Sequence, residues 1–295
     1  MDSVIVRRGP YPAAHEGAKA ALLFRESPQT RSPSYSLAFQ DSDFLLRDEC
    51  RSVRLELEFL KTELILQEHH IESTIVVFGS ARIPDAETAK RNFDAALREA
   101  EGNPANLSLK RKLETARRIL GNSRYYDEAR KLARIVSENS QCSGKVECVV
   151  TTGGGPGIME AANRGADDAG TKSIGLNIVL PQEQAPNPYI TPDLSFQFHY
   201  FALRKMHFLM RAKALVAFPG GYGTLDELFE TLVLVQTRKI KPIPILLFGK
   251  EFWERVIRFD LLVEEGTISE EDTRIFKFVE TAEEAWDHIR QANNL

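Results

Sequence analysis

The stretch ALVAFPGGYGTLDELFE, residues 214–230, joins a short apolar run to a turn with three glycines and a threonine, and then to an acidic segment. The run ALVAF is typical of a buried strand in a parallel sheet, and the segment after the turn has a helical pattern. Gly220, Gly221 and Gly223 give the turn a backbone freedom that packing alone does not require. The stretch therefore predicts a strand, a glycine turn and a helix, with an anion site at the turn.

The same order of strand, loop and helix recurs along the chain. TIVVFGSARIPD at 74–85 and CVVTTGGGPGIMEAANRGA at 148–166 both place glycine directly after an apolar run. Further strands are predicted at 173–181, 194–200, 243–249 and 275–280. Because strands alternate with helical patterns throughout, the sequence predicts an α/β fold: a Rossmann-like, doubly wound, mostly parallel sheet with helices on both faces.

Helices are predicted between these strands. The segment 86–140 predicts one or more helices with a break near 102–104 and a new start near 121–130. Further helices are predicted over 202–214, from the turn at 219–224 to about Arg238, around FWERVIRF, and from Thr281 onward.

The first 71 residues predict a region separate from the α/β domain at 72–295. Residues 1–40 hold four prolines among scattered Ser, Arg and Gly, which predicts a poorly ordered arm or one that orders only against a partner subunit. From 42 to 70, apolar residues recur near helical spacing. This predicts a long amphipathic helix, packed either on its own domain or on another subunit.

Composition narrows the classes of function. The chain has 295 residues and a formal net charge of −4, which argues against wholesale binding to nucleic acid or to an anionic membrane. Three cysteines without a CxxC pair indicate no disulfide framework and a reducing compartment. No apolar run approaches the roughly 20 residues that span a bilayer, and the N-terminus lacks a secretory core. The expected location is cytoplasmic.

Three loops that follow predicted strands are candidates for phosphate binding: GSAR at 79–82, GGGPG at 153–157 and PGGYGT at 219–224. In doubly wound sheets, ligands bind beyond the carboxyl ends of the strands. A helix start adds unpaired N–H donors and a partial positive charge. One such loop can simply allow close packing, but two on one sheet favour a phosphate cradle. Neither GGGPG nor PGGYGT fits the GxGxxG fingerprint or a Walker loop.

The charged residues near the last loop admit two interpretations. Glu227 lies three residues after Thr224, and spacing alone favours a capping box with Thr224 as N-cap and Glu227 at N3. The same spacing also sets a carboxylate beside the phosphate cradle. Arg204 and Lys205, one predicted helix upstream, either form a solvated face or clamp an anion.

The segment RKMHFLMRAKALVAFPGGYGTLDELFE at 204–230, with GGGPGIMEAANRGA before it, resembles the LONELY GUY (LOG) family. Its members are cytokinin riboside 5′-monophosphate phosphoribohydrolases, which also carry the label lysine decarboxylase. Arg204 and Pro219 keep the family's fifteen-residue spacing, and Glu227 takes the last position of the PGGxGTxxE motif. The resemblance covers roughly residues 72–292 and includes features of the longer, bacterial-type branch. Glu160 stands where the shorter branch has glycine, which leaves the base preference open.

The resemblance implies that water cleaves the N-glycosidic bond of a nucleoside 5′-monophosphate, AMP or an N6-prenylated AMP, to free base and ribose 5-phosphate. It implies that Arg204 and Glu227 are the catalytic pair. The implied substrate contacts are Ser80, Gly154, Gly155, Glu183, Lys205, Gly220, Gly221, Tyr222, Gly223 and Thr224. No cofactor and no metal are expected. The protein is expected to form a homo-oligomer, a dimer or higher.

Two other functions need to be weighed against this one. A non-catalytic nucleotide-binding module would use similar loops, although it has no use for the Arg204–Glu227 pair. Lysine decarboxylation is rejected, because no segment presents the lysine context that a Schiff base with pyridoxal phosphate needs.

Overall fold

The computed structural model describes residues 10–141, 146–181 and 185–295. The chain divides into two units, one that ends at Leu60 and one that spans Lys61–Leu295. The domain boundary after residue 71 stays a prediction. Within the described residues, no helix is both long and apolar enough to cross a membrane.

The second unit contains a sheet of seven parallel strands in the order β4-β3-β2-β1-β5-β6-β7. This confirms the predicted doubly wound parallel sheet. The strands are β1 Thr74–Phe78, β2 Val149–Thr152, β3 Ser173–Ile178, β4 Ser195–Phe198, β5 Ala212–Ala217, β6 Ile245–Phe248 and β7 Phe276–Val279.

The described helices follow the predicted alternation with strands. They are α1 Ala14–Ala21, α2 Ser42–Leu45, α3 Arg51–Glu68, α4 Ala86–Gly102, α5 Leu107–Asn122, α6 Arg124–Ser140, α7 Ile158–Asp168, α8 Phe201–Met210, α9 Tyr222–Gln236, α10 Lys250–Val256, α11 Phe259–Glu264 and α12 Ala282–Asn293. The break near 102–104 is confirmed, and Thr281 caps α12. The sequence pattern does not predict α1, which has no buried residue, or the short α11.

Helices cover both faces of the sheet, as predicted. Successive side chains of a strand point to opposite faces. Accordingly, Ile75 and Val77 belong to a core cluster with residues of α6, α7 and α12, whereas Val76 and Phe78 belong to one with residues of α8, α9 and α10. The two clusters hold the sheet between two helical layers.

The strand order reverses between β1 and β5. Strands β2, β3 and β4 follow one another on one side of β1, and β5, β6 and β7 lie on the other side. The pairs Val77–Val216 and Phe78–Ala217 bring the ends of β1 and β5 side by side. At such a reversal the connecting chain leaves adjacent strands in opposite directions, which opens a crevice for ligands.

Two predicted helix bounds are wrong. The helix predicted over 42–70 is interrupted, because the backbone of Arg47 is extended (φ −62°, ψ 149°) between the end of α2 and the start of α3. The side chain of Arg54 donates a hydrogen bond to the carbonyl of Leu45 (2.6 Å). The helix predicted over 202–214 ends at Met210. The Arg211 carbonyl accepts a hydrogen bond from the Thr74 N–H (2.8 Å), which starts the pairing of β5 with β1.

Candidate active site

A cleft of about 770 Å³ lies at the crevice between the ends of β1 and β5. Its walls are the loop after β1, the turn after β5, the first two turns of α9, and side chains from α5, α7, α8 and α10. The structure brings eight predicted site residues into this cleft: Ser80, Arg204, Gly220, Gly221, Tyr222, Gly223, Thr224 and Glu227.

The turn after β5 presents open backbone to the cleft. A Cβ on Gly220 would lie 2.1 Å from Thr224 Oγ1, so this position requires glycine. Gly221 and Gly223 instead have open space where a Cβ would stand. Because α9 begins at Tyr222, its first N–H groups have no acceptor within the helix and offer a partial positive charge to an anion.

The capping box predicted for Thr224 and Glu227 is wrong. Gly221 is the N-cap of α9 and makes no side-chain capping bond, so Thr224 is the third helical residue and Glu227 the sixth. A carboxylate at that depth cannot reach the N–H groups of the helix start. Glu227 is only 5% exposed and lines the cleft.

Burial dominates the electrostatics of Glu227. Desolvation raises the pKa of its carboxyl from the ordinary 4.5 to about 7, against the opposing effects of Lys205 and Arg204. Glu230 and Asp226 add to the rise in pKa. A carboxyl that titrates near neutral pH can exchange a proton with a bound substrate or water.

Arg204 is held in place by the fold. Its Nε donates a hydrogen bond to the Leu176 carbonyl (2.7 Å), and its guanidinium carbon lies 5.0 Å from the centroid of the Phe208 ring. Burial lowers the pKa of Arg204, while Glu227 and Asp226 raise it. Arginine stays protonated in proteins, so the cleft contains a fixed cation near the carboxyl.

Lys205 makes contacts different from those of Arg204. Its ammonium forms ion pairs with Asp226 (2.9 Å) and Glu230 (2.8 Å), on the helix that carries Glu227. The side chain is 17% exposed, and Lys205 does not belong to the described lining of the cleft. Its predicted contact with substrate stays a prediction.

Ser80 ties the three glycine loops together through its backbone. Its N–H donates to the Pro219 carbonyl (3.0 Å), and its carbonyl accepts from the Ile158 N–H (3.1 Å). The Ser80 hydroxyl accepts a hydrogen bond from the Arg82 N–H (3.1 Å). A Cβ on Gly157, whose φ is +71°, would lie 2.4 Å from the Ser80 carbonyl oxygen. Glycine at 157 therefore permits the close approach of two loops.

Gly154 and Gly155 stand apart from the described cleft lining. Asn187 Nδ2 donates to the carbonyls of Gly154 (3.2 Å) and Gly155 (3.1 Å), and to Asn163 Oδ1 (3.0 Å). Gly154 has a φ of +75°, and a Cβ there would lie 2.0 Å from Asn177 Oδ1. These contacts fix the loop after β2, and the predicted substrate contacts of the two glycines stay predictions. Glu183 lies outside the described residues.

Gly153, the first glycine of the same loop, lies against the side chain of Arg204. A Cβ on Gly153 would lie 2.7 Å from Arg204 Nη2, so glycine leaves space for the guanidinium. Sequence reasoning missed this residue, although its place at the head of a GGG run was a usable signal.

Glu160, which stands where the shorter branch of the family has glycine, lies outside the described lining of the cleft. Its Oε1 accepts a hydrogen bond from the Tyr126 hydroxyl (3.0 Å). Burial raises the pKa of Tyr126 to about 12, so this hydroxyl remains a donor at neutral pH. The contact joins α7 to α6.

The cleft also has lining residues that sequence reasoning missed. Thr115, Ile119 and Asn122 of α5 face it, as do Phe201 and Phe252. Phe201 and the predicted Tyr222 are 51% and 93% exposed, and exposed aromatic rings provide flat surfaces for a base. No local motif marks the α5 residues, because only tertiary packing brings them to the cleft.

Comparison with known proteins supports the resemblance seen in the motifs. A family model described as "Possible lysine decarboxylase" matches residues 159–289. The cytokinin riboside 5′-monophosphate phosphoribohydrolase LOG of Oryza sativa subsp. japonica is 32% identical over 139 residues, which cover 46% of this chain and 56% of that protein. The chain thus spans little more than half the length of this relative.

Solved structures add a distant likeness. The molybdenum cofactor carrier protein from Chlamydomonas reinhardtii aligns with a TM-score of 0.45 and 17% identity, over 76% of this chain and 99% of that one. At that identity and score the likeness bears on neither ligand nor activity.

A second curated relative matches over more of its length. The cytokinin riboside 5′-monophosphate phosphoribohydrolase LOG2 of Arabidopsis thaliana is 30% identical over 156 residues, which cover 51% of this chain. Because that alignment extends over 68% of the Arabidopsis protein, this chain belongs to the LOG family.

Proposed function

We propose that this protein is a phosphoribohydrolase, which uses water to cleave the N-glycosidic bond of a nucleoside 5′-monophosphate. The products are a free base and ribose 5-phosphate, and the proposed substrates are AMP and N6-prenylated AMP. Family membership supports this reaction class. The observation that carries the proposal is one cleft in which a glycine turn, the Arg204 cation and the buried Glu227 carboxyl meet.

The 5′-phosphate is proposed to bind at the turn after β5. The start of α9 offers N–H donors and the positive end of the helix dipole, and Thr224 adds a hydroxyl in the same turn. Open space at Gly221 and Gly223 lets a phosphate oxygen approach the backbone. A phosphate held there would place the ribose one to two helical turns from the helix start, at the depth of Glu227.

Glu227 is proposed to act on the ribose side of the scissile bond. Cleavage passes through a transition state with positive charge on the sugar ring, which a nearby carboxylate stabilises. Burial strengthens this interaction, because water screens the charges less. The ionised carboxylate can also orient the attacking water or take its proton.

Arg204 is proposed to act on the base side. One of its N–H groups is used on the Leu176 carbonyl, which fixes the guanidinium plane. The remaining N–H donors are available to receive the electron density that develops on the leaving base, or to hold Glu227. The aromatic rings of Phe201 and Tyr222 at the cleft would stack on the base.

A homo-oligomer is part of the proposal. Exposed apolar side chains on α8 and α9, the helices that carry Arg204 and Glu227, would form an interface with a second copy. They are Phe201, Met206, Met210, Phe229 and Val233. A cytoplasmic setting is also proposed, which the free thiols of Cys50 and Cys148 support.

Incubation of the pure protein with AMP tests the reaction. We expect free adenine and ribose 5-phosphate in equal amounts, measured by chromatography and by a reducing-sugar assay. A parallel incubation with N6-prenylated AMP gives the base preference. If AMP binds and no adenine forms between pH 6 and 9, the protein is the non-catalytic nucleotide-binding module instead.

Lys205→Met should move the pH dependence of kcat/KM to higher pH. Lys205 is the strongest of the charges that lower the pKa of Glu227, and its loss also leaves Asp226 and Glu230 without their shared cation. If the ionised carboxylate is the active form, kcat/KM should fall about tenfold at pH 6 and little at pH 9. Lys205→Arg, which keeps the charge, is the matched control. An equal loss at both pH values would instead indicate a lost substrate contact.

A further inference from the structure

Helix α3 is apolar on two opposite faces. On one face, Thr62 and Leu66 are buried, and Leu66 belongs to the core cluster shared with α8 and α9. On the other face, four large apolar side chains are exposed. They are Val53 (43%), Leu57 (51%), Leu60 (39%) and Leu64 (51%). We call these four residues the outer stripe.

The outer stripe has the spacing of a coiled-coil seam. Its members follow one another at intervals of four, three and four residues. At about 100° per residue they fall within a strip roughly 60° wide along the helix. Leu57 and Leu64 then take heptad position a, and Val53 and Leu60 take position d.

The residues beside the outer stripe carry opposite charges on its two sides. Arg54 and Lys61 take heptad position e, and Glu56 and Glu63 take position g. Glu63 is engaged by Arg211 at 2.8 Å within the second unit, and Arg54 bonds to backbone near α2. Glu56 and Lys61 are exposed at the surface.

We propose that the outer stripe pairs with the outer stripe of a second copy of this chain, with the two helices parallel. In a parallel pair, position g of one helix lies beside the e position five residues later in the other. Glu56 then meets Lys61 of the second copy, and the contact occurs twice. In an antiparallel pair, g faces g and e faces e, so Glu56 would face an acid and Lys61 a cation. The charge pattern therefore favours the parallel arrangement.

The apolar residues and the charged residues contribute differently to the pairing. Burying three leucines and a valine drives the pairing, whereas each surface ion pair contributes little and mainly selects the orientation. The stripe spans 12 residues, about 17 Å of helix, which is short for a coiled coil that forms alone. We therefore expect it to join copies that are already paired through a second interface, such as the one proposed for α8 and α9.

Cross-linking at a seam position tests the geometry. Position d of one helix faces position d of the other in a parallel pair, so Leu60→Cys should form disulfide-linked dimers under mild oxidation. Ser52→Cys is the matched control, since Ser52 is exposed and lies roughly 110° around the helix from the stripe. The wild-type chain sets the background from its own cysteines. Equal cross-linking of the two variants, or none for Leu60→Cys, overturns the proposal.

Charge reversal tests the orientation independently. We expect Glu56→Lys and Lys61→Glu each to weaken assembly, seen as a lower mass by light scattering at limiting concentration, and the double variant to restore the mass. Failure of the double variant to restore the mass contradicts the parallel pairing.

Leu57→Glu with Leu60→Glu should lower the mass about twofold at an unchanged rate of ribose 5-phosphate release per chain. If mass is unchanged and these variants instead abolish binding to anionic vesicles, the stripe contacts lipid and the proposal is wrong. Since cross-linking and mass do not depend on turnover, the pairing and the proposed reaction can fail separately.

Discussion

Glu227→Gln is expected to lower the rate of ribose 5-phosphate release from AMP by about 100-fold or more, which corresponds to about 3 kcal/mol of barrier. Glutamine keeps the size and shape of the side chain, with an amide NH2 in place of one carboxylate oxygen, but cannot carry the negative charge that stabilises the positive charge on the ribose ring. Nucleotide binding should persist, because the turn after β5 is untouched. Single-turnover kinetics together with equilibrium binding of AMP measure both quantities.

Glu230→Gln is the matched control for this prediction. Glu230 lies on the same helix and pairs with Lys205, but it does not belong to the described lining of the cleft. We expect it to change the rate less than about tenfold, since Glu230 lies outside the described lining of the cleft and Lys205 keeps its ion pair with Asp226. If Glu227→Gln keeps as much activity as Glu230→Gln, the buried carboxyl is not the catalytic group.

The strands and glycine loops could be predicted because their signals are local. An apolar run such as TIVVF at 74–78, followed directly by glycine, fits few structures other than a buried strand that enters a tight loop. The strand order could not be predicted, because nothing in the chain before β5 indicates that it returns beside β1. That return creates the crevice, so the location of the cleft was predicted only by the general rule for such sheets.

The interpretation of Glu227 shows how a small shift in a helix boundary changes the role inferred for a residue. With Thr224 as N-cap, Glu227 would be a surface capping residue. The helix starts three residues earlier, since Gly221 already adopts an extended conformation as the N-cap. Spacing fixes the separation of Thr224 and Glu227 but leaves the helix start undetermined within a few residues. Burial of the carboxyl, which decides between the two roles, depends on α8 and on the sheet.

Other parts of the site depend wholly on tertiary contacts. Lys205 lies beside Arg204 in sequence, yet the two cations have different environments, because neighbouring residues on a helix point about 100° apart. Arg204 faces the cleft, and Lys205 faces two carboxylates of α9. A family motif treats the pair as one unit, and only the packing of α8 on α9 separates their roles.

Glu227→Gln should also make the protein more stable at neutral and alkaline pH. Burial raises the pKa of Glu227 from 4.5 to about 7, so the folded protein binds this proton more tightly than the unfolded chain does. The stability that this proton contributes is complete below pH 4.5 and is lost as the pH rises toward 7. Glutamine stays neutral throughout. We therefore expect the free energy of unfolding of the variant to exceed that of the wild type by about 3 kcal/mol at pH 8, and to equal it near pH 4.

Urea unfolding at pH 4, 6 and 8 measures this difference, and Glu101→Gln, at an exposed carboxyl near the end of α4, controls for the removal of a charge. The control should shift the unfolding free energy by less than about 0.5 kcal/mol at every pH. A difference for Glu227→Gln that does not grow between pH 4 and pH 8 would show that the folded protein ionises this carboxyl without cost. A difference in unfolding free energy that grows with pH would mean that the buried acid in the cleft lowers the stability of the fold. Such a cost is expected of a catalytic group, whereas a helix cap would stabilise the fold.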